Sequence, residues 1–333
     1  MAEIDRRMAG ISEFGNSLAH LANDSALHLA ATVRPLAGSR MMVIVTTRLG
    51  VIYRPDFHPH GLRGVATDAE AAGVDELWLW EDCFQQGGIA QVAVALASTE
   101  RLKVGIGLIP APLRNVTAAA MEFATLDAMF PGRTRVAVGH GVQSWMRQAG
   151  AAVDSPLTLL REYVTALRAL LSGEEVTTDG RYVRLSKVRL DFPSARPYPI
   201  LIGGTGPKTL RLAGEIADGV LLDSRYATHT VGGALGHVAE GRAEAGGRPF
   251  SMTLFLACAP GDGAERRLAE EAARQEVPTG GVFGVGGTAK QIGDGLAPYL
   301  AVGVDAIALQ PLDSADRMAE FISTAGEVRV LTS

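Results

Sequence analysis

The stretch that decides the fold is PILIGGTGPKTLRLAGEIADGVLLD, residues 199–223. Residues 200–202 are apolar and read as a short buried strand, and the glycine-rich turn 203–206 follows them. Pro207 suits the first position of a helix, because its missing N–H would have no partner there. After this predicted helix, residues 219–222 form the next apolar segment. The stretch therefore predicts one β–α–β unit.

The turn in this unit has the features of an anion site. Glycines that precede a helix leave backbone N–H groups exposed, and the helix dipole adds positive charge at the same end. Lys208 and Thr209 lie in the predicted first helical turn. The turn lacks the spacing of the dinucleotide fingerprint. A phosphate-binding turn and an ordinary tight strand–helix turn both stay open on these residues alone.

The same alternation of strands and helices continues through most of the chain. Eight apolar segments are predicted as strands, at 49–53, 76–80, 102–109, 135–138, 200–202, 219–222, 252–257 and 305–309. Eight strands that alternate with helices are typical of an α/β protein with a closed (β/α)8 TIM barrel. A doubly wound open sheet is the alternative. No linker divides this region into two domains.

Three segments depart from the alternation. Residues 174–198 alternate in polarity and contain three prolines, which predicts a hairpin-like insertion between strands four and five. Residues 1–46 have loosely periodic apolar positions, which predict an N-terminal extension that is helical or partly disordered. Residues 280–287 are predicted to be a flexible loop. The chain is thus divided into the extension, 1–46, and the barrel domain, 47–333.

Composition narrows the possible partners. The chain has 333 residues, of which 47% are hydrophobic, and this is ample for a buried core. The net charge of −5 and the lack of a basic block argue against nucleic acid. No apolar run approaches the roughly 18 residues that span a membrane. The chain has only two cysteines and an N-terminus unlike a secretory signal, so we expect a cytoplasmic protein. Its expected partner is a small molecule.

Candidate chemical groups follow the predicted strands, since barrel active sites lie at the carboxyl ends of the strands. Glu81 and Asp82 follow the second strand, and neighbouring strand residues point to opposite faces, so at most one of them faces the axis. Acid–base chemistry, ligand binding and a helix cap are all open for this pair. His140 lies between two glycines. It could form a hydrogen bond with a ligand, or it could be an ordinary loop histidine, and both interpretations stay open. His58 and His60 lack further ligands at metal spacing, so no metal is expected.

The third predicted strand contains two glycines, Gly105 and Gly107. Glycine weakens a strand, so this pattern predicts a bulge, a close approach of another group, or room for side chains inside the barrel. Cys83 is a lone cysteine, and such residues are usually small buried hydrophobes. No Gly-x-Ser-x-Gly sequence is present, which disfavours acyl transfer.

Four motifs in this order resemble the luciferase-like monooxygenase superfamily, in particular its branch that uses the deazaflavin coenzyme F420. They are AEAAGVDELWLWED at 69–82, VGIGLIPAPLRN at 104–115 with MEFATLDAMFPGRTRVAVGHG at 121–141, LLREYVTALRALLSGEEVTTDGRYV at 159–183, and PILIGGTGPKTLRLAGEIADGV at 199–220. The resemblance implies a barrel whose mouth holds a flavin or deazaflavin. It also implies that the insertion covers the pocket and that the protein is a homodimer.

The resemblance assigns roles to individual residues. It implies a bulge with a non-proline cis peptide behind the coenzyme ring, at the bond Gly107–Leu108. It also implies that the turn 203–209 holds the coenzyme phosphate. The residues implied to bind the coenzyme are Gly107, Leu108, Gly139, Gly141, Gly203, Gly204, Thr205, Gly206, Lys208 and Thr209. The substrate pocket is expected to include Cys83, Phe84, Val142 and Trp145.

Two departures from the family pattern bear on the reaction. F420-dependent alcohol and sugar-phosphate dehydrogenases of the family have a histidine where Cys83 stands and a glutamate where Val142 stands. Oxidation of an alcohol needs a positioned base. We therefore expect an oxidoreductase that uses F420 to reduce an electron-poor C=C or C=N bond. Asp82 is expected to handle the proton, with Glu81 or His140 as alternatives.

Three other functions are compatible with the sequence. One is an FMN-dependent monooxygenase that uses oxygen, and another is a non-redox lyase or isomerase that binds a phosphorylated substrate at residues 203–209. The third is a binding or sensory barrel without catalysis. F420 carries an acidic tail, so basic residues at the mouth would favour it over FMN; the candidates are Arg54, Lys208, Arg211 and Arg225.

Overall fold

A short antiparallel ribbon precedes the main domain. It pairs β1 (Thr32–Pro35) with β2 (Met42–Val45). The computed structural model of the protein describes residues 32–35, 42–45, 47–226, 228–243, 245–277 and 283–332. The helices predicted between residues 4 and 29 lie outside the described residues, and the described part of the extension is this strand pair.

The main domain is a closed parallel barrel, as predicted. Its eight strands are β3 (Arg48–Tyr53), β4 (Glu76–Leu79), β5 (Lys103–Pro110), β6 (Thr134–Gly139), β9 (Ile200–Gly203), β10 (Gly219–Leu222), β11 (Ser251–Pro260) and β13 (Ala306–Pro311). They pair in this sequence, and β13 returns to pair with β3. The open-sheet alternative is therefore excluded.

Helices follow the strands and cover the outside of the barrel. They are α1 (Leu62–Ala71), α2 (Gly88–Ala97), α3 (Val116–Met129), α4 (Gln143–Gln148), α5 (Pro156–Leu171), α6 (Pro207–Ile216), α7 (Thr228–Arg242), α8 (Ala264–Arg274), α9 (Ala289–Ala301) and α10 (Met318–Leu331). In α5, Leu160, Val164 and Leu167 recur every three or four residues and are fully buried, because this spacing places them on one face. Within the described residues, no helix combines the length and apolarity needed to cross a membrane.

The predicted insertion between the fourth and fifth barrel strands is a hairpin. β7 (Val176–Asp179) pairs antiparallel with β8 (Arg184–Val188). Glu162 of α5 accepts hydrogen bonds from the backbone N–H groups of residues 181–183 in the hairpin turn. These bonds attach the insertion to the barrel.

Two short elements differ from the prediction. Within the predicted loop 280–287, residues 285–287 form β12 (Val285–Gly287), and residues 280–282 lie outside the described residues. β12 forms because β11 continues beyond the barrel to Pro260 and offers a free edge for pairing. Helix α4 follows the fourth barrel strand, in a segment where the sequence analysis predicts no helix. It has six residues and buries only Met146, so the sequence shows no helical periodicity there.

The interior of the barrel is filled by large side chains that small residues accommodate. Trp78 and Phe255 meet edge to face with ring centroids 5.4 Å apart. A Cβ atom at Gly105 would lie 2.5 Å from the Trp78 ring, and one at Gly107 would lie 2.5 Å from the Phe255 ring. The interpretation of these glycines as room for packing inside the barrel is therefore confirmed.

A buried charge cluster closes the amino-terminal end of the barrel. Glu76 is 1% exposed. Its carboxylate forms ion pairs with Arg48 and Arg135, each at 2.8 Å, and accepts a hydrogen bond from the indole of Trp78 at 2.9 Å. A carboxylate is retained in such a place only when its charge and lone pairs are satisfied. The cluster thus connects β3, β4 and β6 beneath the aromatic layer.

We predict that Glu76→Ala lowers the free energy of unfolding by about 3–5 kcal/mol, because it leaves two arginines without their buried counter-ion. Urea denaturation of the variant and the unmodified protein measures this difference. The control is Glu320→Ala, which removes an exposed ion pair with Arg317 and should cost about 1 kcal/mol or less. Equal losses for the two variants would contradict the prediction.

Candidate functional site

A cavity of about 330 Å³ opens at the carboxyl ends of the barrel strands. Its floor is aromatic, since Trp80 stacks on Phe255 with ring centroids 6.0 Å apart and an interplanar angle of 18°. The lining residues are Trp80, Glu81, Asp82, Gly107, Leu108, Pro110, His140, Gly141, Val142, Trp145, Gly203, Gly204, Thr205, Leu221, Asp223, Ser224, Arg225, Phe255 and Gln310. An apolar pocket with a few polar groups is the usual form of a small-molecule site.

The third barrel strand bulges into this cavity. The register between β5 and β6 shifts between Gly107 and Ile109, and the peptide bond Gly107–Leu108 is cis, as the resemblance implied. The side chain of Leu108 lies over Gly139 and Gly203, where an added Cβ atom would approach it to 2.5 Å. The glycines at the ends of β6 and β9 therefore leave the space that the Leu108 side chain of the bulge occupies.

Glu81 lines the cavity, but its carboxylate is engaged elsewhere. It pairs with Arg114 at 2.7 Å and accepts a hydrogen bond from the backbone N–H of Gly88, the first residue of α2. Arg114 also contacts Glu122 at 3.0 Å. Glu81 therefore acts as the helix cap considered from the sequence and fixes the loop that carries Asp82.

Asp82 also lines the cavity, and its environment differs from that of Glu81. Burial raises the pKa of Asp82, and the nearby charge of Asp56 raises it further. Asp56 is held by Arg54, whose guanidinium binds both of its carboxylate oxygens. Within the described residues, no basic side chain lies at ion-pair distance from Asp82. A carboxyl group in this setting is suited to hold and donate a proton.

His140 lies in the cavity wall, and its turn is held by two internal contacts. Its Nδ1 atom is 3.0 Å from the carbonyl oxygen of Gly141. A carbonyl can only accept, so Nδ1 is the donor in this contact. Gln143 donates to the carbonyl oxygens of both residues. The Nε2 atom of His140 therefore remains for a contact with a ligand.

The glycine-rich turn reaches the cavity with only part of its predicted set. Gly203, Gly204 and Thr205 line the cavity, whereas Gly206, Lys208 and Thr209 lie outside its lining. Helix α6 has no side-chain cap and no acidic residue in its first turn. Lys208 is exposed there, and Thr209 is buried against Gly204. The N–H group of Thr209 donates to the carbonyl oxygen of Gly206, and Pro207 has no N–H group. Among the described hydrogen bonds, the N–H groups of Gly206 and Lys208 are the ones available to an anion at this helix end.

The expected substrate-pocket residues divide into two pairs. Val142 and Trp145 line the cavity, but Cys83 and Phe84 do not. Phe84 is 70% exposed and has a φ of +73°, in the left-handed region. Burial and the neighbouring carboxylates raise the pKa of the Cys83 thiol.

Several lining residues were not among the predicted site residues. They are Trp80, Pro110, Leu221, Asp223, Ser224, Arg225, Phe255 and Gln310. Arg225 was named from the sequence as a basic residue that would favour F420 at the mouth, and Asp223 and Gln310 directly follow predicted strands, so the sequence indicated their position. Asp223 binds the guanidinium of Arg225 at 2.6 Å. In the described part of the chain, no group of three or more histidine, cysteine or acidic residues is placed to hold a metal ion.

Comparison with known protein sequences places this geometry in context. The family model of the luciferase-like monooxygenases matches residues 39–306. The chain is 32% identical over 158 residues to the 5,10-methylenetetrahydromethanopterin reductase of Methanolobus tindarius, a match over 47% of this chain and 48% of that protein. It is 34% identical over 181 residues to the F420-dependent glucose-6-phosphate dehydrogenase of Nakamurella multipartita, over 50% and 53% respectively. The chain thus spans about half the length of these curated relatives.

Solved structures share the fold. The coenzyme F420 dependent tetrahydromethanopterin reductase from Methanopyrus kandleri superposes with a TM-score of 0.71 at 20% identity, over 84% of this chain and 97% of that one. An F420-dependent secondary alcohol dehydrogenase in complex with an F420-acetone adduct gives 0.73 at 21% identity, over 85% and 99%. These likenesses establish the barrel architecture.

We predict that Asp82→Asn raises the stability of the protein at neutral pH. An unfolded aspartate titrates near about 3.9, and the raised pKa of Asp82 means that the folded state holds the proton more tightly. Ionisation of Asp82 therefore costs stability as the pH rises through this window. Denaturation of both proteins as a function of pH should show a gain for the variant that fades as the pH falls below about 4.

The control for this prediction is Asp68→Asn, at an exposed position on α1, which should change stability by about 0.5 kcal/mol or less at any pH. A variant at Asp82 that is no more stable than the unmodified protein at neutral pH would contradict the prediction.

Proposed function

The chain belongs to the luciferase-like monooxygenase family, and on that premise we propose that it is an oxidoreductase that transfers hydride with coenzyme F420. We propose further that it reduces an electron-poor C=C or C=N bond. The observation that carries this proposal is that one cavity joins the Gly107–Leu108 bulge to the phosphate-type turn at 203–205. The relatives named for F420-dependent reactions support the choice of coenzyme.

The residues of the site fit a flat heterocycle with an anionic tail. The cavity is lined by Trp80 and Phe255 in its floor and by Leu108 of the bulge, and these side chains suit a flat ring. The amino terminus of α6 has no acidic residue in its first turn and carries the exposed Lys208, so it favours a phosphate. When bound in its reduced form, F420 would supply the hydride, and the protein supplies orientation and a shielded face.

Asp82 is the residue that we assign to the proton. Reduction of a C=C or C=N bond adds one hydride to one atom and one proton to its neighbour. The raised pKa of Asp82 favours its protonated form, and its place in the cavity lining lets it donate that proton. Its partly exposed side chain then regains a proton from solvent. Glu81 is held by Arg114 and positions the loop instead.

Oxidation of an alcohol is the less suitable direction for this site. The positions that dehydrogenases of the family give to histidine and glutamate hold Cys83 and Val142. Cys83 lies outside the cavity lining, and the raised pKa of its thiol disfavours a thiolate base. The aliphatic side chain of Val142 cannot accept a proton.

The homodimer expected from the resemblance is part of the same proposal. Val94 and Met121 supply exposed apolar surface for its interface.

We predict that Lys208→Ala weakens F420 binding about twofold to fivefold at low salt, because one exposed charge near a helix end contributes about that much. The loss should shrink as salt rises. Fluorescence titration measures both effects. Lys290→Ala is the matched control. Lys290 is also an exposed lysine at the second position of a helix, α9, but it lies outside the cavity lining. Equal losses for the two variants would refute a phosphate at residues 203–209.

The reaction direction is tested by anaerobic turnover. We expect reduced F420 to be oxidised by cyclic enones and imines, and oxidised F420 to remain unreduced by secondary alcohols and sugar phosphates. Asp82→Asn should bind F420 normally but slow the reduction about a hundredfold, which is typical of losing a general acid. Alcohol oxidation at a comparable rate would contradict the proposed direction. Turnover only with reduced FMN and oxygen would favour a monooxygenase instead.

A further inference from the structure

A second cavity, of about 440 Å³, lies where the insertion hairpin meets the barrel, and we call it the hairpin cavity. Residues 182–185 of the hairpin supply one wall. Helix α5, through Leu159 and Tyr163, and the segment between β5 and α3 supply the others. None of its lining residues lines the cavity at the carboxyl ends of the barrel strands, here called the main cavity. The hairpin cavity is therefore a separate place for a ligand.

One ion pair connects the linings of the two cavities. Glu81 lines the main cavity, Arg114 lines the hairpin cavity, and their charged groups are 2.7 Å apart. A ligand in the hairpin cavity therefore leaves the main cavity free for a coenzyme. Its binding also does not depend on which coenzyme the main cavity takes.

The interior of the hairpin cavity is largely apolar. Its buried lining residues are Val116, Leu159, Tyr163, Val183 and Leu185. Four of these side chains are aliphatic, and the fifth contributes an aromatic ring. Apolar surface that moves from water onto such walls is stabilised by the hydrophobic effect. The interior therefore suits the hydrocarbon part of a ligand.

The exposed lining residues of the hairpin cavity offer hydrogen-bond donors. Arg184 uses its Nε atom to donate to the carbonyl oxygen of Gly180, and its terminal nitrogens donate to no described residue. Its contact with Asp179, at 3.4 Å, also runs through Nε, and both side chains are largely exposed, so this pair is weak. Asn115 accepts from the N–H of Thr117 through Oδ1, which leaves its NH2 group as a donor. Donors and positive charge suit an anion.

The charges around the hairpin cavity favour the same kind of ligand. Among the described residues that line it there are two arginines and no acidic residue. Arg114 is already neutralised by Glu81. Glu162, which lies beneath the hairpin turn, accepts hydrogen bonds from the backbone N–H groups of residues 181–183. Arg184 is therefore the charged group of the lining that a ligand can bind.

We propose that the hairpin cavity is a second binding site and that it takes an amphiphilic monocarboxylate. The hydrocarbon body lies between α5 and the hairpin, and the carboxylate binds the guanidinium of Arg184 at the opening. A small anion such as acetate or phosphate leaves the apolar walls uncovered. An amine of the same length places its positive charge beside an arginine, which costs binding energy.

The test compares four ligands by calorimetry on the full-length protein, with and without oxidised F420. They are octanoate, octylammonium and 1-octanol, which share a hydrocarbon chain, and acetate, which lacks it. At low salt, octanoate should bind about tenfold more tightly than octylammonium, because their charges are opposite. Acetate should not bind measurably. The affinity for octanoate should fall as salt rises, whereas that for octanol should not.

Three variants locate the site. Arg184→Gln should weaken octanoate about threefold to fivefold at low salt and leave octanol unchanged. Arg189→Gln is the matched control, because Arg189 is an exposed arginine of the same insertion outside the cavity lining, and it should change neither affinity. Val153→Trp, at a half-buried lining position, should fill the cavity and weaken both ligands. Thermal unfolding establishes that each variant is folded before binding is compared.

Several outcomes would overturn this second site. They are no binding of octanoate by the folded protein, equal octanoate affinities for Arg184→Gln and Arg189→Gln, and competition between octanoate and F420, which would place octanoate in the main cavity. If octanoate and F420 bind together and Arg184→Gln weakens octanoate alone, the site is supported. If F420 does not bind, the proposed function fails, and the comparison of the variants still decides the hairpin cavity.

Discussion

The edge-to-face contact between Trp78 and Phe255 is the constraint on which the mouth of the barrel depends. These rings fill the interior, so the cavity begins above them rather than continuing as a pore. Their size is accommodated by the missing side chains at Gly105 and Gly107. Gly107 then opens the bulge that shapes one wall. The same packing that fills the core therefore sets both the floor and the bulge of the site.

The charge cluster at the other end of the barrel supports this arrangement. Glu76 binds the indole nitrogen of Trp78 and so fixes the orientation of the ring from below. Two arginines, one on β3 and one on β6, balance the remaining carboxylate charge. At the mouth, Glu81 is neutralised in a similar way by Arg114, whereas Asp82 is not. Adjacent acids of one sequence motif thus have separate tasks, one structural and one suited to proton transfer.

Much of the fold was predictable because its signals are local. The strand predicted at 219–222 has those bounds, and all eight barrel strands were located from apolar segments with glycine or proline between them. Helix α4 and strand β12 were missed because they are short and depend on tertiary contacts. The bond Gly107–Leu108 was found through resemblance to a family rather than from the strand pattern.

The site was less predictable because its residues converge from different strands. Gln310 and Phe255 line the same cavity although 55 positions separate them in the sequence, and no local sequence pattern shows that they come together. The path of a loop was equally hidden, since Phe84 adopts a positive φ and lies outside the cavity lining, although Asp82, two residues earlier, lines it. Residue type and position after a predicted strand singled out Asp82 and His140, and both line the cavity.

The measurement that tests the central claim most directly is anaerobic binding of F420 and of FMN to the same purified protein. Fluorescence quenching measures the affinity for each coenzyme. We predict tight binding of F420 and weak binding of FMN, because the cavity and the open helix end suit a flat ring with an anionic tail. Binding of FMN alone would contradict this prediction and favour a flavin enzyme that uses oxygen. Binding of neither by folded protein would contradict the redox account and favour a phosphorylated substrate or a barrel without catalysis.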